Sequence, residues 1–290
     1  MQRFIQLPPE KLELGTIKKY RTTLSHFKAY KRHLLFTEID NNLLRGFIVF
    51  MQTDLKLGGA ETKKYLEALK KVIKQAAREN FIPNSQLEHL FDNLQIKVEK
   101  PRRTFLDLGE VKKWKALQFS NDEWHLERDR DLFLFQVYTG YYYSDLSIFT
   151  KDQLQQDEEY GNIIVGARDK NGNQTIIPLF KFPYAETILK RYGSNSSDKQ
   201  VLDKKYLIEE PVYNRHLKQI AKKAGIQKNV SNKVARHTNA QLWIRYGAEG
   251  AVLSKMMGHT KQETTRNYYD VNLPEIVEGT KRVDFVAMGI

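Results

Sequence analysis

The sequence predicts a mainly α chain with one small β-hairpin, an α+β protein in two domains. Three observations carry this. Apolar residues recur every three or four positions through most of the first hundred residues, the spacing of amphipathic helices. Charge and proline break that pattern at Gln95-Ile96-Lys97-Val98-Glu99-Lys100-Pro101-Arg102-Arg103. A single Asn-Gly pair, Asn171-Gly172, stands between two β-rich runs, and Asn-Gly is the strongest short-range hairpin signal.

The helices of the first domain follow in order. Gly15-Thr16 opens a segment with apolar Ile17, Tyr20, Leu24 and Phe27 on one face. Asp40 is placed to cap a second, which buries Leu43, Leu44, Phe47 and Met51. A third begins near Glu61 and buries Tyr65, Leu69, Val72, Ile73 and Ala76. Its other face carries Lys63, Lys64, Lys70, Lys71, Lys74 and Arg78, and Pro83 marks its end. The domain spans 1–96, and 97–106 is a linker.

The second domain spans 107–290. Asp107 with Glu110 three residues on is a capping box that opens its first helix. Gly161–Val165 and Gln174–Pro178 are the arms of the hairpin, with Lys170 at its tip. Residues 193–200 read as a flexible surface loop, and helical text runs from Tyr184 to the end. His237 and Trp243 are expected to pack inside. The apolar tail Val283, Phe285, Val286, Met288 packs either on its own domain or on a neighbour's.

Composition narrows the function. The 290 residues carry 47 Lys and Arg against 35 Asp and Glu, a net charge of +12. Residues 1–100 hold 18 of the basic and 11 of the acidic side chains, leaving 29 against 24 for the longer remainder. Such a balance favours polyanions, nucleic acid above all. With no cysteine, a disulfide framework, a thiolate metal site and a cysteine nucleophile are excluded. The start lacks a signal peptide's apolar core, and no apolar run nears the ~18 residues of a membrane span. A cytoplasmic protein with no membrane partner is expected.

Two clusters carry chemistry. In Gly258-His259-Thr260-Lys261-Gln262-Glu263-Thr264-Thr265-Arg266-Asn267-Tyr268-Tyr269, Thr260 and Glu263 form another capping box. His259 then stands at a helix start, where backbone N–H groups favour an anion. Tyr268 and Tyr269 follow two turns on. Upstream, Lys233 and Arg236 are three apart and share a helix face, and the planar fork of arginine suits phosphate. Tyrosine, arginine, lysine and histidine suffice to attack a phosphodiester without metal. No metal-ligand spacing and no nucleotide-binding loop appears, so no cofactor is expected.

The order of these pieces resembles the tyrosine recombinase (phage integrase) family. A basic helical module and a linker are followed by the turn Thr139-Gly140, with Asp145 behind it. Lys170, Lys233-Val234-Ala235-Arg236-His237 and the Gly258–Tyr269 stretch come next. The wording is closest to integrases of Bacteroidetes mobile elements. The resemblance implies a SAM-like core-binding domain followed by the family's catalytic domain. It implies site-specific recombination or integration of duplex DNA, through a Holliday junction and with four protomers. Monomers without DNA and a place in the bacterial nucleoid follow from it.

Residue by residue, the resemblance makes Tyr268, not Tyr269, the nucleophile that forms a 3′-phosphotyrosyl link. It makes Arg236 and His259 phosphate ligands and Lys170 the proton donor to the leaving 5′-oxygen. Lys233 stands where the family usually has histidine. Lys63, Lys64, Lys70, Lys71, Lys74, Arg102 and Arg103 become DNA contacts. The family's first arginine is missing: Thr139-Gly140-Tyr141-Tyr142 puts Tyr142 in its place. Arg130 is the expected replacement, ahead of Arg128 and Arg168. Relaxation of DNA by a type IB topoisomerase, and a catalytically weakened DNA-binding relative, are the alternatives.

Overall fold

The computed structural model describes residues 2–6, 8, 11–98, 104–167, 173–194, 199–258 and 273–290. The chain divides into two compact units, Met1–Pro101 and Arg102–Ile290.

The first unit is helical: α1 (Gln2–Gln6), α2 (Leu14–Tyr30), α3 (Asn41–Thr53), α4 (Gly59–Arg78) and α5 (Asn84–Leu87). Asp40 caps α3, its Oδ1 accepting from the Leu43 N–H at 2.7 Å, which satisfies one of the orphan donors of a helix start. Leu44, Phe47 and Met51 of α3 and Tyr65, Leu69 and Ile73 of α4 form one core. Phe27 and Tyr30 of α2 close it against Phe47, with ring centroids 5.0 and 5.7 Å away. Tyr20 of α2 packs separately on Ala68 and Val72. Pro83 does not end α4 directly; it precedes α5.

The second unit holds α6 (Leu108–Ala116), α7 (Trp124–Thr139) and α8 (Tyr143–Ile148), then β1 (Leu154–Asp157), β2 (Gly161–Ala167) and β3 (Gln174–Ile177). After the sheet come α9 (Pro183–Tyr192), α10 (Glu210–Lys223), α11 (Asn232–Arg245), α12 (Gly250–Met257) and α13 (Leu273–Thr280). The Asp107–Glu110 box forms as predicted, with reciprocal bonds of 2.9 and 2.8 Å. The hairpin arms pair antiparallel, Ile164 opposite Ile177. A third strand, β1, adds to the outer side of β2, with Leu154 opposite Ile164. The ends of the predicted surface loop are tied down, since Gly193 bridges to Leu202 and Thr150 to Gln200.

Helix α7 is the centre of this unit. Every residue from Arg128 to Thr139 is buried, although four of them are charged in the sequence. Burying charge is tolerable only when it is paired and hydrogen-bonded, and both pairs are. Arg128 Nε donates to Asp129 Oδ1 at 2.7 Å, and His216 Nδ1 lies 2.6 Å from Asp129 Oδ2. Asp131 receives Arg130 Nε at 2.8 Å and the hydroxyls of Tyr184 and Tyr192 at 3.0 and 2.9 Å. Burial first, then this carboxylate, pushes the Tyr192 hydroxyl well above the usual phenol range.

The tail folds back on its own unit. Val283, Phe285 and Ile290 are buried, and the Phe285 ring stacks on Phe182 at 4.6 Å and meets Trp243 edge-on at 4.8 Å. Val286 stays exposed. Among the described residues no helix is long and apolar enough to cross a membrane.

Candidate active site

The site is built where two helices, α7 and α12, end against a third, α11. The last carbonyls of α7 have no intrahelical partner, and α11 supplies them. Asn239 Nδ2 donates to the carbonyls of Val137 and Tyr138 at 2.7 and 3.1 Å. One turn earlier, Arg236 Nη1 donates to the carbonyl of Gly140 at 2.7 Å. Gly140 itself is left-handed, at φ +72, and a Cβ there would stand 2.9 Å from Asn239 Oδ1. A side chain is excluded twice over, by backbone conformation and by space.

Arg236 also reaches the end of α12, where its Nη2 donates to the carbonyl of Met257 at 2.5 Å. The guanidinium is buried, 4% exposed, at the C-termini of two helices, whose partial negative charge favours a cation. Gly258 follows in the left-handed conformation that closes α12, at φ +59. Its carbonyl accepts from Asn173 Nδ2 at 3.3 Å. Lys255 of α12 adds a bond to Gln174 Oε1 at 3.1 Å. The loop end of the hairpin is therefore fastened to the turn that leads into His259.

The turn after α7 is rigid. Gln136 Nε2 donates to the Tyr141 carbonyl at 3.2 Å. The Tyr143 hydroxyl bonds both the carbonyl and the N–H of Ile208, each at 2.9 Å, and its ring stacks on Tyr213 at 4.1 Å. Burial chiefly pushes that hydroxyl up to about 12, so it stays neutral at any working pH. Asp145 Oδ2 accepts from the Tyr142 N–H at 2.7 Å. Tyr142 is half-buried, and its ring lies over the Arg236 guanidinium with 4.9 Å from centroid to central carbon.

Of the predicted site residues, Arg236 is thus inside a built constellation. Lys233 is exposed on the same helix, a turn before it. Tyr268, Tyr269, His259, Lys170 and Arg168 lie outside the described residues, as do Arg102 and Arg103. Lys170 belongs to the connection between β2 and β3, three residues before Asn173, and His259 follows Gly258 directly. His237 is only partly buried, while Trp243 is fully so.

Arg130 is a correction. Its guanidinium is bound to Asp131, to the Leu117 carbonyl at 2.5 Å, to Glu127 at 3.4 Å and to the Tyr184 hydroxyl at 3.3 Å. Arg128 is likewise held by Asp129. Arg130 therefore braces the core. Arg130→Ala is expected to destabilise the protein by about 3 kcal/mol, the usual cost of leaving a buried partner uncompensated. Chemical denaturation checks this, and a loss under 1 kcal/mol contradicts it.

In the first unit the lysines of α4 separate onto two faces. Lys70 reaches Glu67 at 3.2 Å, and Lys70 and Lys74 lie over the Phe91 ring at 5.6 and 5.5 Å. Lys64 and Lys71 instead lie near α2, close enough to act on a charge there. Lys19 of α2 joins them there, a residue the sequence pattern did not single out. Burial, then the charges of Lys71 and Lys64, hold its amine below the ordinary lysine range. Lys63 is exposed on the opposite side, beside Leu66, Leu94 and Ile96.

Comparison with known proteins covers both units. A model of the phage integrase SAM-like domain matches residues 1–97, and a model of the phage integrase family matches residues 104–274. Tyrosine recombinase XerC of Thermodesulfovibrio yellowstonii is 22% identical over 278 residues, 91% of this chain and 88% of that protein. Tyrosine recombinase XerD of Listeria innocua is 25% identical over 281 residues, 90% of this chain and 89% of that protein. A lambda integrase (75–356) dimer bound to a COC′ core site shares the fold at TM-score 0.70 and 14% identity, covering 94% of this chain and 97% of that one. XerH recombinase in a post-cleavage complex with palindromic difH substrate does so at TM-score 0.63 and 19% identity, covering 93% and 80%.

Proposed function

This chain belongs to the phage integrase family of tyrosine recombinases, enzymes of DNA breakage and rejoining, and on that premise we propose that Tyr268 makes its cut. The tyrosine oxygen gives up its hydroxyl proton to water, attacks the scissile phosphorus and displaces the 5′-oxygen, which leaves a 3′-phosphotyrosyl bond and a free 5′-hydroxyl. Arg236 grips a non-bridging oxygen, with Lys233 and His259 as further donors. Lys170 gives its proton to the departing 5′-oxygen. The ester energy is kept in the phosphotyrosyl bond, so neither metal nor nucleotide is required.

One observation supports this best. Arg236 is hydrogen-bonded to the Met257 carbonyl, and the adjacent Gly258 carbonyl is bonded to Asn173. The segments that lead to His259 and Lys170 thereby converge on the arginine. A nicked duplex, of the sequence this chain selects from a randomised pool, tests the reading in chelator and without nucleotide. A protein–DNA adduct that survives denaturant is expected; bound but uncleaved DNA sinks the enzymatic reading and favours the binding-only alternative.

The substrate is duplex DNA, held by the first unit through Lys63, Lys64, Lys70, Lys71, Lys74 and by Arg102 and Arg103 of the linker. Exchange between two duplexes takes four strand cuts, hence four protomers, monomers assembling on DNA in the bacterial nucleoid. Exchange between paired sites, against mere relaxation of one duplex, separates a recombinase from a topoisomerase. Lys64→Ala with Lys71→Ala should lower affinity for all sequences alike. The slope of log affinity against log salt should fall by roughly 2, as expected for two lost phosphate contacts. An unchanged slope removes these lysines from the interface.

A further inference from the structure

The central carbon of the Arg236 guanidinium lies over the ring of Tyr142, 4.9 Å from its centroid. The edges of the same group are held by the carbonyls of Gly140 and Met257 at 2.7 and 2.5 Å. Three segments of the chain therefore orient one planar cation. The carbonyls fix the direction of its edges, and the ring lies against its central carbon. A planar fork serves a phosphate only when it is aimed.

The ring is itself delivered with care. Its backbone N–H is tied to Asp145 Oδ2 at 2.7 Å, and Asp145 is 8% exposed. Its two tyrosine neighbours are buried and fastened, Tyr141 by its carbonyl to Gln136 and Tyr143 by its hydroxyl to Ile208. Of the three consecutive tyrosines, the middle one meets Arg236. A cation over an aromatic face is attracted by the ring's quadrupole, an effect that grows as the pair is desolvated.

We propose that Tyr142 is a positioning residue for strand cleavage, acting through its aromatic ring on Arg236. This rests on Arg236 being the ligand of the scissile phosphate. The ring, not the hydroxyl, carries the role, so phenylalanine should replace it and an aliphatic side chain should not.

The test uses the full chain and the nicked duplex it selects from a randomised pool, with single-turnover cleavage and affinity measured separately. Tyr142→Leu is expected to slow cleavage about tenfold while the Kd for the duplex stays within about twofold. Tyr142→Phe restores the rate to within about twofold of the parent, a rescue that mere damage to the fold would not show. With Arg236→Lys already present, Tyr142→Leu slows cleavage less than about twofold further, as coupled partners require. Three results overturn the proposal: Phe as slow as Leu, Leu at the parent's rate, or a full tenfold loss from Leu in the Lys background. If the parent forms no adduct at all, the assignment of Arg236 fails with it. If the parent cleaves and every Tyr142 variant matches it, this role alone fails.

Discussion

Tyr268→Phe is expected to abolish the covalent adduct while leaving DNA affinity within about twofold. The substitution removes one oxygen, and that oxygen is the atom proposed to bond to phosphorus. Without it there is no covalent path, and water has no activated route in its place. The fall in cleavage should be at least about 10⁴-fold, of the order seen when a covalent nucleophile is lost. Tyr269→Phe, one residue away, should cleave at close to the parent's rate. A Tyr268→Phe protein that still forms adducts would move the nucleophile elsewhere.

Arg236→Ala should be the next largest loss. Removing a single preorganised donor from a water-poor site costs about 10²–10³ in rate, and this residue offers a charged fork rather than one donor. Cleavage is expected to fall by about 10³ or more. The same change strips the carbonyls of Gly140 and Met257 of their partner, and each buried carbonyl left unsatisfied costs about 1–3 kcal/mol. The variant should thus be less stable as well as slower. Arg236→Lys separates the two effects, because lysine keeps the charge but can satisfy neither the two carbonyls at once nor the phosphate in two-pronged fashion. A variant with alanine at this position that cleaves at a tenth of the parent's rate or better would place the phosphate somewhere other than beside Arg236.

Much of this architecture is legible in the sequence because it depends on local patterns. The helices of the first unit follow from apolar spacing, and the Asp40 and Asp107 caps from residue types at fixed offsets. Strand β1 was not legible, since Leu154-Gln155-Gln156-Asp157 has a single apolar residue and pairs only because β2 offers it an edge. The charged run at the start of α7 reads as surface, yet Asp131 is buried. Its partners Tyr184, Tyr192 and Arg191 lie more than fifty residues downstream. That is also why Arg130 looks available in the sequence and is not.

The candidate site shows the same division. Arg236 stands out in the sequence as the candidate phosphate ligand from its type and its neighbours. That it rests on the ends of two helices and against the ring of Tyr142 is a tertiary fact with no local signature. Asn173, which joins the hairpin to Gly258, reads in the sequence only as a turn residue. Lys19 escapes notice because the lysines it stands beside are on another helix.

Tyr268 is the residue proposed to form the bond to DNA. Adduct trapped on the nicked duplex, digested with protease and nuclease, and sequenced by mass spectrometry tests it most directly. A nucleotide remnant joined through phosphate to Tyr268 is the predicted result. The same remnant on Tyr269 or on any other residue would contradict it.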